Sequence, residues 1–401
     1  MKILTINCGS SSIKYKLFQM PGESLVAKGL LEKIGEETSF FRQEVANQIT
    51  ETRRPVKNHD EGLKLITESL LSGSPPAIKD IREIGGVGHR VVHGGEGFDR
   101  SVVITEDVIA RIEEYQELAP LHNPPNLAGI KAARRVFSHC VQVASFDTAF
   151  HRTIPEVAYL YAIPFRFYTQ HGIRRYGFHG TSHRYVARRA AELLGKGKYD
   201  LNAITCHLGN GCSVTAVRNG RSVDTSMGLT PLEGLIMGTR SGDIDPGVIL
   251  FLAERLGIEM AALNRLLNRE SGLLGISGTS NDFRNLLAER EKGNQQANLA
   301  IEMFCYRLRK YIGAYLAVLG QTDAIVFTGG IGENVPLVRE RSLSNLQSLG
   351  IILDQQANQE AKGERIISQK ESKIAVLVIP TDEELRIAVD TYTLAHSHLS
   401  G

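Results

Sequence analysis

The 401 residues carry 46 Lys and Arg against 44 Asp and Glu, a formal net charge of +2, too small a surplus to mark a nucleic-acid or anionic-membrane surface. Hydrophobic residues make up 42% and charged residues 22%, an ordinary balance for a soluble globular chain, and the length favours two domains over one. No apolar run nears eighteen residues and the four at 3–6 are too few for a signal-peptide core, so neither a membrane span nor secretion is expected.

Residues 2–18, KILTINCGSSSIKYKLF, open the chain as an apolar run, a turn of Gly9 and three serines, and an alternating second run. The two runs read as strands of one hairpin. A glycine- and serine-rich turn lets backbone N–H groups approach an anion with no Cβ in the way. Proline breaks follow at Ser74-Pro75-Pro76 and across Pro120–Pro125, both too short for a disordered linker. An apolar run, Val141–Phe146, ends on Asp147, and Asp147–Pro155 is the expected passage between two halves. His179-Gly180 precedes Thr181-Ser182 and a helical pattern running through Leu194. His179 is therefore expected at a helix N-terminus, whose free N–H groups and dipole attract anions. The basic run Arg184–Arg189 on that helix reads as a solvated face.

Residues 202–218, NAITCHLGNGCSVTAVR, then repeat the opening pattern: strand, a turn of Gly209-Asn210-Gly211, strand. Two phosphate-cradling hairpins about 200 residues apart predict a duplicated α/β fold with a nucleotide held between the halves. Further on, Arg240 precedes Asp245-Pro246, a cap followed by proline at the first helical position, which suggests a second anion site at a helix start. Over 296–319 Ile301, Phe304, Leu308, Ile312, Tyr315 and Leu319 recur at helical spacing, and Gly320 supplies a stop. Ala324–Phe327 enters a glycine turn, Gly329-Gly330-Ile331-Gly332. Ile374–Ile379 ends in Pro380-Thr381, where Thr381 and Glu384 read as a capping box for the last helix. Cys8, Cys140, Cys206, Cys212 and Cys305 are odd in number and scattered through apolar runs. Buried thiols in a reducing, cytoplasmic compartment are expected.

Polar residues in turns that follow apolar runs are the candidates for chemistry: Arg90, His122, Asp147, His179 and Arg240. Each alone also has a structural explanation, Asp147 as a helix cap or turn former for instance. The absence of G-x-x-x-x-G-K-[ST] argues against a P-loop NTPase. Gly85–His89 lacks the full dinucleotide spacing, and Asp282-Phe283 is followed by Arg284 rather than the glycine of a protein kinase. What remains is the paired-hairpin arrangement of the actin, sugar-kinase and Hsp70 group.

Within that group the chain resembles the acetate/propionate kinase family. The resemblance is carried by NCGSSSIKY at 7–15, GHRVVHGG at 88–95, DTAFH at 147–151, RRYGFHGTSH at 174–183 and HLGNGCS at 207–213. SMGLTPLEGLIMGTRSGDIDPG at 226–247, TGGIGENV at 328–335 and TDEEL at 381–385 complete it. It implies two duplicated RNase H/actin-like α/β domains with a central cleft. These would be an N-terminal domain over 1–150, with helix 384–401 packing back on it, and a C-terminal nucleotide-binding domain over 151–383. It further implies reversible, Mg²⁺-dependent phosphoryl transfer from ATP to acetate, giving ADP and acetyl phosphate, in a homodimer, with Mn²⁺ as the alternative metal. By the same resemblance Asp147, His179, Arg240 and Arg90 are catalytic. Asn7 and Glu383 would hold the metal. Lys14 and the turn His207, Leu208, Gly209, Asn210 and Gly211 would contact phosphates. Asp282, Phe283 and Arg284, with Gly330, Ile331, Gly332, Glu333 and Asn334, would line the adenosine side. Arg90 would take the acetate carboxylate, beside Val92, Leu121, His122 and Pro231.

An acid substrate is already ionised near neutral pH and needs no general base. Asp147 is therefore expected to act through Mg²⁺ or by orienting an arginine. Read from the residues alone, Glu383 is equally an acid stabilising a first helical turn, and Asn7 a residue leading into a turn. The alternative functions are a propionate or short-chain fatty acid kinase and, in another class, an Hsp70-like nucleotide-switched interaction protein.

Overall fold

The computed structural model describes residues 1–120, 122–360 and 363–399. The chain divides into two compact units, Met1–Arg152 together with the C-terminal segment that begins at Asp382, and Thr153–Thr381.

The first unit is built on eight strands: β1 (Lys2–Cys8), β2 (Ser12–Gln19), β3 (Ser24–Glu32), β4 (Ser39–Val45), β5 (Gln48–Arg54), β6 (Ile84–Val91), β7 (Val102–Val103) and β8 (Val141–Phe146). Their order in the sheet is β5-β4-β3-β2-β1-β6-β8-β7. The second unit carries β9 (Ala203–Leu208), β10 (Cys212–Arg218), β11 (Arg221–Thr225), β12 (Ala324–Thr328), β13 (Arg365–Ile366) and β14 (Ala375–Val378), in the order β11-β10-β9-β12-β14-β13. In each unit three strands run antiparallel, the first then pairs in parallel with a fourth and the fourth with a fifth, and a two-residue strand closes the edge antiparallel. The match extends to chain order, since β7 lies between β6 and β8 as β13 lies between β12 and β14. The repeat read from the two hairpins is thus a repeat of the whole sheet. The first unit adds β4 and β5, and the outermost strand, QITETRR, is exposed along its length and charged, the composition that discourages edge-to-edge pairing.

Alternation along β1 divides the first unit into two layers. Leu4, Ile6 and Cys8 join Ile13, Tyr15, Leu17 and the helix His59–Ser72 in the main core. Ile3 faces the other way, packing with Phe18, Met20 and Ala388 of the last helix, Glu383–Leu399. That helix lies close to β6 because of glycine: a Cβ on Gly88 would come within 2.4 Å of Thr391 Oγ1 and 2.5 Å of Ile387 Cγ2. The glycine-rich run before Arg90 is therefore packing for the helix that begins at Glu383. Its N-terminus is capped by Asp382, whose Oδ1 accepts from Leu385 N at 3.0 Å. Glu384 makes no capping box with Thr381; its carboxylate lies 2.6 Å from Lys14 Nζ and 3.2 Å from Lys16 Nζ.

In the second unit the helix Gln295–Leu319 is capped by Asn294, and its buried face runs from Ala297 through Ile301, Phe304, Leu308 and Ile312 to Leu319. The turn expected after β12 is a short helix instead, Gly329–Asn334. Gly329 adopts φ +77, and a Cβ there would meet the Leu208 backbone at 2.7 Å, so the chain re-enters helix directly off the strand. Among the described residues no helix is long and apolar enough to cross a membrane.

Burial also predicts a pH response. His89 lies fully inside β6 with Nε2 2.7 Å from Gln142 Oε1, and burial pushes its imidazole down from 6.5 to about 4. His93 is lowered to about 4 for the same reason. The unfolded chain takes up protons below 6.5 that the folded protein refuses, so stability present above pH 6.5 is lost as pH falls toward 4, by about 3 kcal/mol per histidine. Urea melts across that window should show the fall, with His89→Gln removing about half of it.

Candidate active site

Two groups of candidate side chains are assembled, one in each unit. In the first, Arg90 and Asp147 stand at the ends of the parallel neighbours β6 and β8, where Arg90 is in register with Ser145 and Asp147 N donates to Val91 O at 3.0 Å. Their contact is a fork. Arg90 Nε donates to Asp147 Oδ1 at 3.0 Å and Nη2 donates to Oδ2 at 2.7 Å. Asp147 is only 1% exposed while the Arg90 side chain keeps 22%, so the guanidinium offers its remaining edge, Nη1 and Nη2, to solvent or ligand. Burial opposes charge on Arg90, yet the carboxylates of Asp147 and Glu383 raise its proton affinity.

Glu383 is half-buried, and its Oε1, an atom removed from solvent, has no hydrogen-bond partner among the described residues. Burial pushes its carboxyl up to about 7; Arg90 opposes the shift, and Asp147 and Glu384 add to it. Glu384 is the reverse case: burial opposes its charge, but Lys16 and Lys14 hold it at about 2. Lys14, expected on a phosphate, is thus half-exposed and paired with Glu384.

Two asparagines that sequence reading passed over fix the segment after Arg90. Asn126 Oδ1 accepts from Val92 N at 3.0 Å while its Nδ2 donates to Cys8 O at 2.7 Å. Asn123 accepts from His93 N and donates to His93 O at 3.0 and 2.9 Å. Both sit in the first turns of the helix Asn123–Val136, at whose N-cap stands His122. The motif NPPN was the available signal.

In the second unit the centre is the β9–β10 turn. His179 occupies the N-cap of the helix Gly180–Leu193 in a left-handed conformation, φ 57, a strained placement for a non-glycine residue. Its ring stacks on His207 with centroids 4.2 Å apart. A Cβ built on Gly211 would lie 3.5 Å from His179 Nε2 and 3.4 Å from Arg240 Nη1, so both cationic-type groups flank the same turn. Arg240 is the exceptional one. It forms no ion pair among the described residues, its Nη1 donates to Pro231 O at 3.3 Å, and burial lowers its proton affinity. The helix start beyond it is already filled, since Asp245 Oδ1 accepts from Gly247 N at 2.9 Å. The second helix-start anion site expected from the sequence is therefore replaced by a placement of Arg240 at Gly211.

The segment bearing Arg240 is braced from outside. Arg175 Nη2 donates to Glu233 Oε1 at 2.6 Å and Tyr161 OH donates to Glu233 Oε2 at 2.6 Å. Asp243 Oδ1 accepts from Gly234 N at 2.8 Å. The turn itself is pinned by Gly238 N donating to Asn210 O at 3.0 Å and by Asn281 Nδ2 donating to Asn210 Oδ1 at 3.0 Å. Asp282 follows immediately, capping the helix Phe283–Glu291 and gripping Arg284, while the buried Phe283 ring packs edge-on against Phe304. On the other side Thr328 is in register with His207, which brings Gly329–Asn334 beside Leu208. There Glu333 Oε1 accepts from Gly329 N at 2.9 Å, and the buried Arg339 donates to Gly332 O at 2.8 Å. The separate sequence segments at 179, 207–211, 240, 282 and 329–334 are therefore neighbours in one unit.

The acetokinase family matches residues 2–389. The chain belongs to that family. The acetate kinase of Pseudothermotoga lettingae is 51% identical over 397 residues, covering 99% of this chain and 98% of that protein. The crystal structure of Porphyromonas gingivalis acetate kinase superposes with a TM-score of 0.95 at 47% identity, over 98% of this chain and 99% of that one. A propionate kinase from Francisella tularensis gives 0.91 at 42% identity, over 98% and 99%. The fold is accordingly the mixed α/β, two-sheet one of these kinases.

Of the residues expected around the acyl group, Val92 and His122 belong to the first unit with Arg90, and Pro231 to the second, its carbonyl on Arg240. Leu121 lies outside the described residues. Among the described residues no three His, Cys, Asp or Glu side chains gather as a metal cage. Mg²⁺ does not require one, because it keeps several waters and takes one or two carboxylates plus substrate phosphate oxygens. The unpartnered Glu383 Oε1 fits that demand, and the alternation of β1 puts Asn7 on the sheet face that the Glu383–Leu399 helix covers.

Proposed function

We propose that the protein is an acetate kinase, transferring the γ-phosphoryl group of ATP in line to acetate, reversibly and with Mg²⁺, and that its homodimers work in the cytoplasm. The observation that carries the reading is Arg240, a guanidinium held at a glycine turn with no carboxylate of its own among the described residues. A fold accepts the desolvation of such a cation where a ligand supplies the negative charge.

In this reading the turn 207–211 and Arg240 receive the migrating phosphoryl, whose charge spreads over its equatorial oxygens, and His179 Nε2 donates to one of them. Arg90 holds the substrate carboxylate on the edge that Asp147 leaves open, and Asp147 keeps that guanidinium from rotating. Asn7 and Glu383 are the residues that would hold Mg²⁺, which neutralises phosphate charge when bound. Asp282–Arg284 and Gly330–Asn334 are assigned to the adenosine side. A hydroxamate assay with ATP, Mg²⁺ and acetate tests the reaction: acyl hydroxamate formed in step with ADP supports it, and ATP loss without it sinks it. Steady-state kcat/KM for acetate against propionate decides the acid, since one methylene changes discrimination by only about 1–3 kcal/mol.

The dimer has a candidate surface. No residue of the helix Pro246–Leu256 is buried, although Leu250, Phe251 and Leu256 are 59%, 57% and 61% exposed, with Met260 at 69% beyond it. Such a patch is unusual on a monomer. Leu250→Glu with Phe251→Glu is expected to convert the protein to monomers in sedimentation velocity; an unchanged coefficient would place the interface elsewhere. All five cysteines are free, and all but the half-buried Cys140 are buried, which supports a reducing compartment.

A further inference from the structure

A polar stripe runs where a core would normally be apolar. Thr205 and His207 alternate on one face of β9, Ser213 stands opposite His207 on β10, and the first turn of the Gly180–Leu193 helix brings His183 down onto them. Thr205, Ser213 and His183 are all 0% exposed. Buried polar atoms must satisfy one another, and here they do so in a line. His183 Nδ1 lies 2.7 Å from Thr205 Oγ1, His183 Nε2 lies 2.7 Å from Ser213 Oγ, and Ser213 Oγ lies 2.9 Å from His179 Nδ1.

Such a line has two self-consistent polarities. In one, Thr205 donates to His183 Nδ1, His183 Nε2–H donates to Ser213 Oγ, and Ser213 donates to His179 Nδ1. A neutral His179 then carries its proton on Nε2, the atom on the Gly211 side. In the other, every bond reverses and His179 turns a bare lone pair toward the turn. Next to Arg240 and the 209–211 backbone, a lone pair would face the oxygens of any anion held there.

We propose that Ser213 and His183 are positioning residues that lock His179 in the Nε2–H tautomer, so that it meets the phosphoryl oxygens as a donor. The inference rests on the phosphoryl role of His179 proposed above. Neither residue touches substrate in this arrangement; each acts through the ring of His179. The sequence carried a sign of it, because hydroxyl and imidazole side chains at alternate positions of an otherwise apolar strand pair are out of place in a core.

The test is ¹⁵N NMR of the intact protein labelled at its histidine ring nitrogens, recorded at alkaline pH where the rings are neutral, with His179→Asn assigning the signals. The wild type is expected to show an unprotonated Nδ1 and a protonated Nε2 at His179. Ser213→Ala should give a mixture of tautomers and lower kcat at least about tenfold, a wrong tautomer being costly in catalysis, with KM for both substrates within about twofold. Ser213→Thr, which keeps the hydroxyl, should restore both, so a loss through misfolding is recognised by the failure of Thr to rescue. A wild-type His179 protonated on Nδ1, or a Ser213→Ala ring identical to wild type, overturns the proposal. A kcat unchanged in His179→Ala would instead overturn the phosphoryl role beneath it, and the tautomer signals tell the two apart.

Discussion

Replacing Arg240 by methionine is expected to lower kcat by about 10²–10³-fold while making the unligated protein more stable, by about 1 kcal/mol. The two signs come from one cause. Arg240 is half-buried and meets no carboxylate among the described residues, so in the empty protein its charge is a cost that a methionine does not bear. In the role proposed for Arg240 that same charge meets the equatorial oxygens of the phosphoryl group, and methionine would offer them nothing. Arg240→Lys should recover little, because an ammonium cannot present the planar fork. Parallel kinetics and thermal melts check this; a variant that loses activity and melts lower would mark Arg240 as structural.

That inverse relation separates what the chain made legible from what it did not. The two hairpins 200 positions apart announced the duplicated sheet because a hairpin's turn chemistry is local. Hydrophobic alternation and glycine spacing are read directly from neighbours in sequence. The candidates at strand ends, Arg90 and Asp147, were likewise legible, since turns after apolar runs are where α/β folds present function, whereas His207 came only with the family resemblance. Their partners were not. That Arg90 spends one edge of its guanidinium on Asp147 depends on the parallel pairing of β6 with β8, a contact across 57 positions. Arg240 read as guarding the helix at Pro246, because Asp245-Pro246 is a strong local signal; the long-range brace of Arg175, Tyr161 and Glu233 took its segment to Gly211 instead. Glu384 failed as a capping partner for a similar reason. Two lysines on β2 outcompeted a backbone N–H for a partly buried carboxylate.

Asp147→Asn is the other change with a large expected effect: KM for acetate up at least about tenfold, kcat down about 10²-fold and a higher Mg²⁺ requirement. Asparagine keeps the shape but offers one acceptor where Arg90 now uses two, and its NH₂ group points a donor at a donor. The guanidinium then loses the orientation that, in its proposed role, aims its free edge at a substrate carboxylate. It also loses its first counter-charge, which leaves Glu383 as the carboxylate that next most raises its proton affinity. Because Glu383 Oε1 has no hydrogen-bond partner among the described residues, a released Arg90 is expected to settle there, and Mg²⁺, if Glu383 holds it as proposed, would then have to displace a cation to bind. Glu383→Gln in the Asp147→Asn background removes that competitor's landing place and should abolish the added Mg²⁺ dependence contributed by the single variant. Breaking the buried pair should also cost up to about 3–5 kcal/mol of stability, so the titrations belong well below the melting temperature. Unchanged KM for acetate together with an unchanged Mg²⁺ half-saturation would leave Asp147 no part in either orientation or metal binding.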